Sequence, residues 1–196
     1  MKTSRGTKLT TATRNTVAAT TNIASISISS KLQIEQPAKI KHTYPIGNLR
    51  IVQVDEDNDV SIVDERDKGK RAFFTAQRWI RFVQEIPSID KAVLRATTYK
   101  PTNFQLHIGG QWYVGVSERF QNVDIRRWFI RVGFDSLLRP TTSGISLSFA
   151  DWENLKKTAD KMFDDLPQFA DISPCWHESQ CAMKSCSECN PTPNPY

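Results

Sequence analysis

The residues best equipped for chemistry are cations set among aromatic rings. Arg119 and Phe120 are adjacent, and Arg126-Arg127-Trp128-Phe129 follows six residues later. Arg131 and Arg139 lie close beyond. Single-stranded nucleic acid is held this way, by a basic track for the phosphates and flat rings on which bases stack. The same composition also arises from core packing of Trp128 and Phe129 beside solvated arginines, or from a cation–π contact with no ligand. In a strand, Arg126 and Trp128 share one side, and Ile125, Arg127 and Phe129 the other. One side cannot be both wet and apolar, so one arginine or ring is expected to be displaced by the loop that follows. Arg50, Arg66, Lys68, Lys70 and Arg71 offer a second, sparser basic set.

A separate cluster lies near the C-terminus: Cys175, His177, Cys181, Cys186 and Cys189. Four thiols and an imidazole exceed what one zinc ion requires, and Cys186-Ser-Glu-Cys189 has the spacing that spans two corners of a tetrahedron. The remaining pair is irregular, so free or disulfide-paired thiols stay open beside one zinc ion. No catalytic set is legible. His42, His107 and His177 stand apart from any nucleophile elbow, and no glycine loop is built to cradle phosphate. The expectation is a protein that is not an enzyme, with His107 a strand-entry residue. Asp55-Glu56-Asp57-Asn58-Asp59 lacks the glycine and closing glutamate of a calcium loop and reads as a solvated acidic turn, with Asn58 tolerating left-handed backbone.

The elements that position these residues come twice. Residues 44–95 and 106–166 run through the same order of signals. Each opens with Ile-Gly (Ile46-Gly47, Ile108-Gly109), then an alternating strand (Leu49 to Val54, Trp112 to Val116). Each then shows Val-Asp-x-Arg (Val63 to Arg66, Val123 to Arg126) and a short apolar strand before a helix carrying one tryptophan, Trp79 or Trp152. Thr75 and Ser148 are expected N-caps, the latter with Asp151 in a capping box. Trp79, Phe82, Val83 and Ile86 share a helical face, and so do Phe149, Trp152, Leu155, Ala159, Met162, Phe163 and Leu166. Pro87 ends the first helix or starts a new turn, and Pro167 stops the second. Residues 130–143 read as a loop. Units this small are marginal alone, so the duplication predicts one shared core, with both tryptophans buried in it or at the contact between repeats.

The fold class expected is α+β: two repeats of a curved antiparallel sheet followed by a helix, paired as an intrachain pseudo-dimer. The divisions are a basic Ser/Thr-rich tail (1–42), a first repeat (43–95), a linker (96–105), a second repeat (106–168) and a Cys-rich tail (169–196). Residues 1–42 carry a net charge of +6 and the rest −1, so the basic excess belongs to the tail. Its first 40 residues cannot bury enough apolar surface to order themselves. The tail reads as a solvated arm, as an electrostatic arm sweeping phosphate with an affinity that salt abolishes, or as an organelle transit peptide. No stretch has the length of a membrane span and no secretory apolar region opens the chain. The confinement of cysteine to the end does not suit a disulfide-stapled secreted scaffold.

The second repeat resembles the transcriptional positive cofactor four family of single-stranded-DNA-binding coactivators. The family's ordered motifs are Ile-Gly, Tyr-Val-x-Val, Ile-Asp-Ile-Arg followed by aromatics, Lys-Pro-x-x-x-Gly-Ile-Ser-Leu and Trp-x-x-Leu-Lys. Here they stand as Ile108-Gly109, Tyr113-Val114-Gly115-Val116, Val123-Asp124-Ile125-Arg126 with Trp128-Phe129, Arg139-Pro140-Thr-Thr-Ser-Gly144-Ile145-Ser146-Leu147, and Trp152-Glu-Asn-Leu155-Lys156. The likeness spans about 60 residues, and the series rather than any one motif is specific. The first repeat is similar but has a much shorter loop, with Gly69-Lys70-Arg71-Ala72-Phe73-Phe74 where the family has Gly-Ile-Ser-Leu.

The resemblance implies a four-stranded sheet plus helix, a homodimer here made covalent, and paired grooves for opposed single strands. It puts Arg126 at the family's strand arginine, Phe120 at the hairpin aromatic if a two-residue gap is allowed, and Trp128 or Phe129 at the next aromatic. It implies a coactivator or DNA-handling factor of the nucleus, or of a viral or host replication compartment, with single-stranded DNA or RNA and the transcription machinery as partners. The acidic turn of the first repeat would repel phosphate, which predicts that the second repeat binds and the first supplies the partner surface. A protein–protein module that keeps the fold and has lost the groove is the competing expectation.

Overall fold

The computed structural model describes residues 39–47, 49–130 and 137–174. Alternating apolar residues build two four-stranded antiparallel sheets, in spatial orders β1-β2-β3-β4 and β5-β6-β7-β8. The first contains β1 (Ile40–Gly47), β2 (Arg50–Asp55), β3 (Val60–Asp64) and β4 (Asp67–Phe74). The second contains β5 (Asn103–Gly109), β6 (Trp112–Ser117), β7 (Asn122–Ile130) and β8 (Leu138–Ser148). Helices α1 (Ala76–Gln84) and α2 (Ile86–Thr97) follow the first sheet. Helix α3 (Phe149–Asp165) and a 3-10 turn (Pro167–Asp171) follow the second. The expected α+β class of two sheet-and-helix repeats holds. No helix among the described residues is long and apolar enough to cross a membrane.

The caps form as their residue types require. Thr75 accepts from the backbone N–H of Arg78. Ser148 and Asp151 satisfy each other's backbone N–H in a capping box. The acidic turn is more built than a solvated turn would be. Asp55 is buried and accepts from the N–H groups of Asp57 (3.0 Å) and Asp59 (2.9 Å). Asp59 in turn accepts from Ala76 N–H at the start of α1 (3.0 Å), and Asn58 takes a positive φ of 63°.

Several boundaries are redrawn, and the alternatives left open at Pro87 are decided. Strand β1 begins at Ile40, so Ile46-Gly47 closes the first strand instead of opening the repeat. Its Pro45 is compatible because β1 is an edge strand, where a missing N–H costs no ladder bond. Strand β5 starts at Asn103 and takes the last three residues of the 96–105 linker. Pro87 starts a second helix, α2, at a position where its missing N–H is harmless. Residues Leu138 to Ser143 belong to β8, so the 130–143 loop is shorter than read.

Strand register shows which residues correspond. Val52 pairs with Ile62 as Val114 pairs with Ile125, and Ile62 pairs with Ala72 as Ile125 pairs with Ile145. Thr75 and Ser148 then correspond as caps, and Trp79 with Trp152. The Val-Asp-x-Arg match does not correspond: Val63 occupies the place of Arg126, so the two motifs are three residues out of step. Each nevertheless makes the same local bond. Arg66 donates to Asp64 (2.9 and 3.1 Å) in the β3–β4 turn, and Arg126 to Asp124 (2.8 and 2.9 Å) within β7.

The inward residues of both sheets and the helices meet in one continuous cluster that includes Phe74, Trp79, Phe82, Val114, Ile125, Trp152 and Met162. Helix α3 lies against β1 as well as β7 and β8, α1 against β5 as well as β4, and α2 against β6. Rings meet across the repeats, Phe74 stacking on Trp112 (6.5 Å) and Phe82 meeting Trp152 edge to face (5.9 Å). The Trp152 indole N–H donates to Asp90 on α2 (2.7 Å), and Lys156 donates to the same carboxylate (2.9 Å). Asn154 donates to the Ile46 carbonyl (3.1 Å), and Arg50 donates to Asp151. Gly47 sits so close to Asp151 that a Cβ there would fall 2.2 Å from its Oδ1. That carboxylate is already held by the cap and by Arg50, so it has little freedom to yield.

Asp64 is buried, and hydrogen bonding from Arg66 pulls its carboxyl from the ordinary 3.8 to about 2. A folded-state value below the unfolded one means stabilisation that is complete above about pH 4 and is lost as pH falls toward 2. Urea unfolding of Asp64→Asn across that window is expected to give a shallower decline than the unmodified chain. Parallel declines would remove Asp64 from the acid response.

Candidate nucleic-acid interface

Because side chains alternate along a strand, the residues between the core positions of the second sheet turn outward together. Gln105, Gly115, Asp124 and Ser146 form one row across the four strands, and His107, Tyr113, Arg126 and Gly144 the next. Small residues at Gly115 and Ser146 leave space between larger neighbours. The result is an open groove of about 540 Å³ lined by Phe120, Arg126 and Trp128 together with Asn103, Gly115 and Asp124.

Its aromatic walls differ in how they are held. Phe120 stands in the β6–β7 turn and is 69% exposed. The Arg119 guanidinium lies over its ring at 5.5 Å. Trp128 is half-buried and meets the Tyr113 ring edge to face at 6.2 Å, and Tyr113 is packed on His107 at 4.9 Å. Burial raises the Tyr113 phenol above its ordinary value, so it stays neutral. The backbone N–H of Trp128 donates to Gln111 (2.7 Å), which steadies the strand at that ring.

Arg126 is fixed on three sides. Asp124 takes two of its bonds, and its Nη1 donates to the Thr141 carbonyl (3.0 Å). Hydrogen bonding to Asp124 also raises its already high proton affinity. The groove therefore presents a flat guanidinium whose charge is balanced locally. Such a plane stacks on bases more readily than it collects phosphate. Gly144 permits this arrangement, since a Cβ there would lie 2.6 Å from the Ile125 carbonyl and against Arg126.

Of the sequence candidates, Phe120, Arg126 and Trp128 come together, with Arg119 at the rim. Arg127 and Phe129 point to the other side of β7. Arg127 donates to Gln111 (2.8 Å), and Phe129 pairs across the ladder with Arg139. No residue of β7 is displaced to achieve this. The register shift falls on β8, where two residues are extra between Gly144 and Pro140. On this part of β7, Arg127 and Phe129 are exposed and Trp128 half-buried, so neither side is closed by the core. Arg131 lies outside the described residues.

The first repeat departs from the basic track read for it. Arg50 is committed to Asp151 and lies 3.9 Å from Asp64, between the repeats. Arg66 is held by Asp64, and Lys70 lies 3.6 Å from Asp67. Arg71 is exposed on β4. By register, Val63 stands where the second repeat has Arg126, and the β2–β3 turn, one residue shorter than the β6–β7 turn, carries acids and no aromatic. Cys175, His177, Cys181, Cys186 and Cys189 lie outside the described residues, and among the described ones no group of three or more metal-binding side chains occurs.

Sequence reasoning missed Tyr113, His107 and Asp124. Tyr113 and Gly115 alternate with the core residues Val114 and Val116, which was signal enough to turn Tyr113 outward. His107 belongs to the middle of β5, where it supports Tyr113, and is more than a strand-entry residue. No family model matches the chain, and no curated protein matches it.

Proposed function

We propose that the chain binds single-stranded DNA or RNA through the outward groove of its second repeat, acting as a transcriptional coactivator or DNA-handling factor and not as an enzyme. The observation that carries this reading is the convergence of Phe120, Trp128 and the guanidinium plane of Arg126 on one open groove. Three flat groups at the edge of a sheet offer faces to unpaired bases, and duplex DNA keeps those faces stacked away. The ordered likeness of residues 108–156 to the positive cofactor four family supports the same assignment, with the two repeats as a covalent counterpart of its homodimer. Arg119 and the basic tail are the sources of phosphate affinity. The working place is the nucleus, or a viral or host replication compartment.

The protein–protein alternative draws support from one feature, the neutralisation of Arg126 by Asp124, which leaves the groove without net charge. Tryptophan fluorescence separates the two. Titration with a short single strand at low salt is expected to quench Trp128, with a duplex of the same length much less effective. Equal response to both, or none to either, removes the nucleic-acid reading and favours a partner chain on this face.

A further inference from the structure

A second depression, of about 420 Å³, adjoins the groove and shares Asn103 and Phe104 with it. Its far wall is α2, which supplies Lys91, Ala92 and Arg95, and Thr102 lies at its floor. Ala92 is buried against the sheet, while Lys91 and Arg95 are exposed one helical turn apart. Like charges at that spacing repel, and an anion between them relieves the repulsion. Arg95 Nη2 donates to the carbonyl of Pro101 (3.4 Å), the residue before Thr102 in the lining. Among the described residues no acid lines the depression, although Glu118 reaches its rim and accepts from Thr102 N–H (3.0 Å).

The two depressions complement each other chemically. The groove has aromatic faces and a balanced charge, and its neighbour has two cations and one small apolar wall. We infer that a single strand whose bases fill the groove continues over the start of β5 and lays its phosphates on Lys91 and Arg95. This rests on the groove being a single-strand site. It assigns the first repeat a direct part in binding, because α2 comes from that repeat and is carried onto the sheet of the second.

The test uses the whole chain, homothymidine strands of about four and about twelve nucleotides, and a salt series. In the Lys91→Gln/Arg95→Gln protein the shorter strand is expected to bind as it does to the unmodified chain. The longer strand is expected to lose about tenfold in affinity, and its log–log salt slope to fall by about 1.4, the value for two lost phosphate contacts on a single strand. Glu118→Gln is expected to act in the opposite sense on the longer strand alone. Unchanged slope and affinity for the longer strand in the double variant, with both strands still bound, overturn the path over α2 and leave the groove reading intact. Failure of the unmodified chain to bind either strand overturns both.

Discussion

Trp128→Ala is expected to lower affinity for a short single strand by about 5- to 150-fold, the equivalent of one lost base stack at about 1–3 kcal/mol. The ring is positioned before any ligand arrives. Tyr113 meets it edge to face, His107 supports Tyr113, and the Trp128 backbone is tied to Gln111. Little ordering is therefore required on binding, and the stacking energy appears in full. Phe129→Ala is the control that tests sidedness. Phe129 is the next residue in β7 and equally aromatic, but it points away from the groove beside Arg139. It is expected to leave the affinity unchanged. Equal losses in the two variants, measured by anisotropy with a labelled strand on proteins of matched thermal stability, would mean that the binding face is not the one described.

Trp152→Ala is expected to destabilise the whole described unit by about 3–5 kcal/mol, the range for removing a large buried ring. Trp152 is fully buried, meets Phe82 of the other repeat, and donates to Asp90 on α2. Its loss leaves a cavity in the common core and strands the Asp90–Lys156 pair beside it. Because the core is continuous, both sheets unfold in one transition, shifted as a unit to lower denaturant. Circular dichroism across a urea series distinguishes this from independent repeats, for which one of two transitions would move and the other stay. Trp152→Phe keeps most of the ring and removes the indole donor, and it falls between the two.

Much of this architecture is legible in the sequence. Thr75 and Ser148 announce their caps by residue type, and the spacing from each cap to Trp79 or Trp152 is the same. Strand alternation put Arg126 and Trp128 on one side. The parts that were illegible depend on pairing between distant residues. A four-residue motif such as Val-Asp-x-Arg looks repeated in one dimension, but only the ladder partners of Ile62 and Ile125 reveal that its copies are out of step. Arg50 reads as a free cation until Asp151 arrives from the other repeat, one hundred and one residues away. Helix α2 was hidden because Pro87 signals an end as strongly as a beginning. The neutralisation of Arg126 was within reach, since Asp124 two residues earlier in a strand must share its side.

The reciprocal placement of the helices has a bearing on how such a chain can be handled, shortened or inherited. Each sheet owes part of its cover to a helix encoded with the other. Removing either half at residues 98–102 uncovers a row of valines and isoleucines on the half that is kept, a surface suited to aggregation. A fragment made to isolate the second repeat would also discard Lys91 and Arg95. One repeat taken alone is thus not a portable module. The two lengths of chain are similar, and the exchange of roofs makes them indivisible.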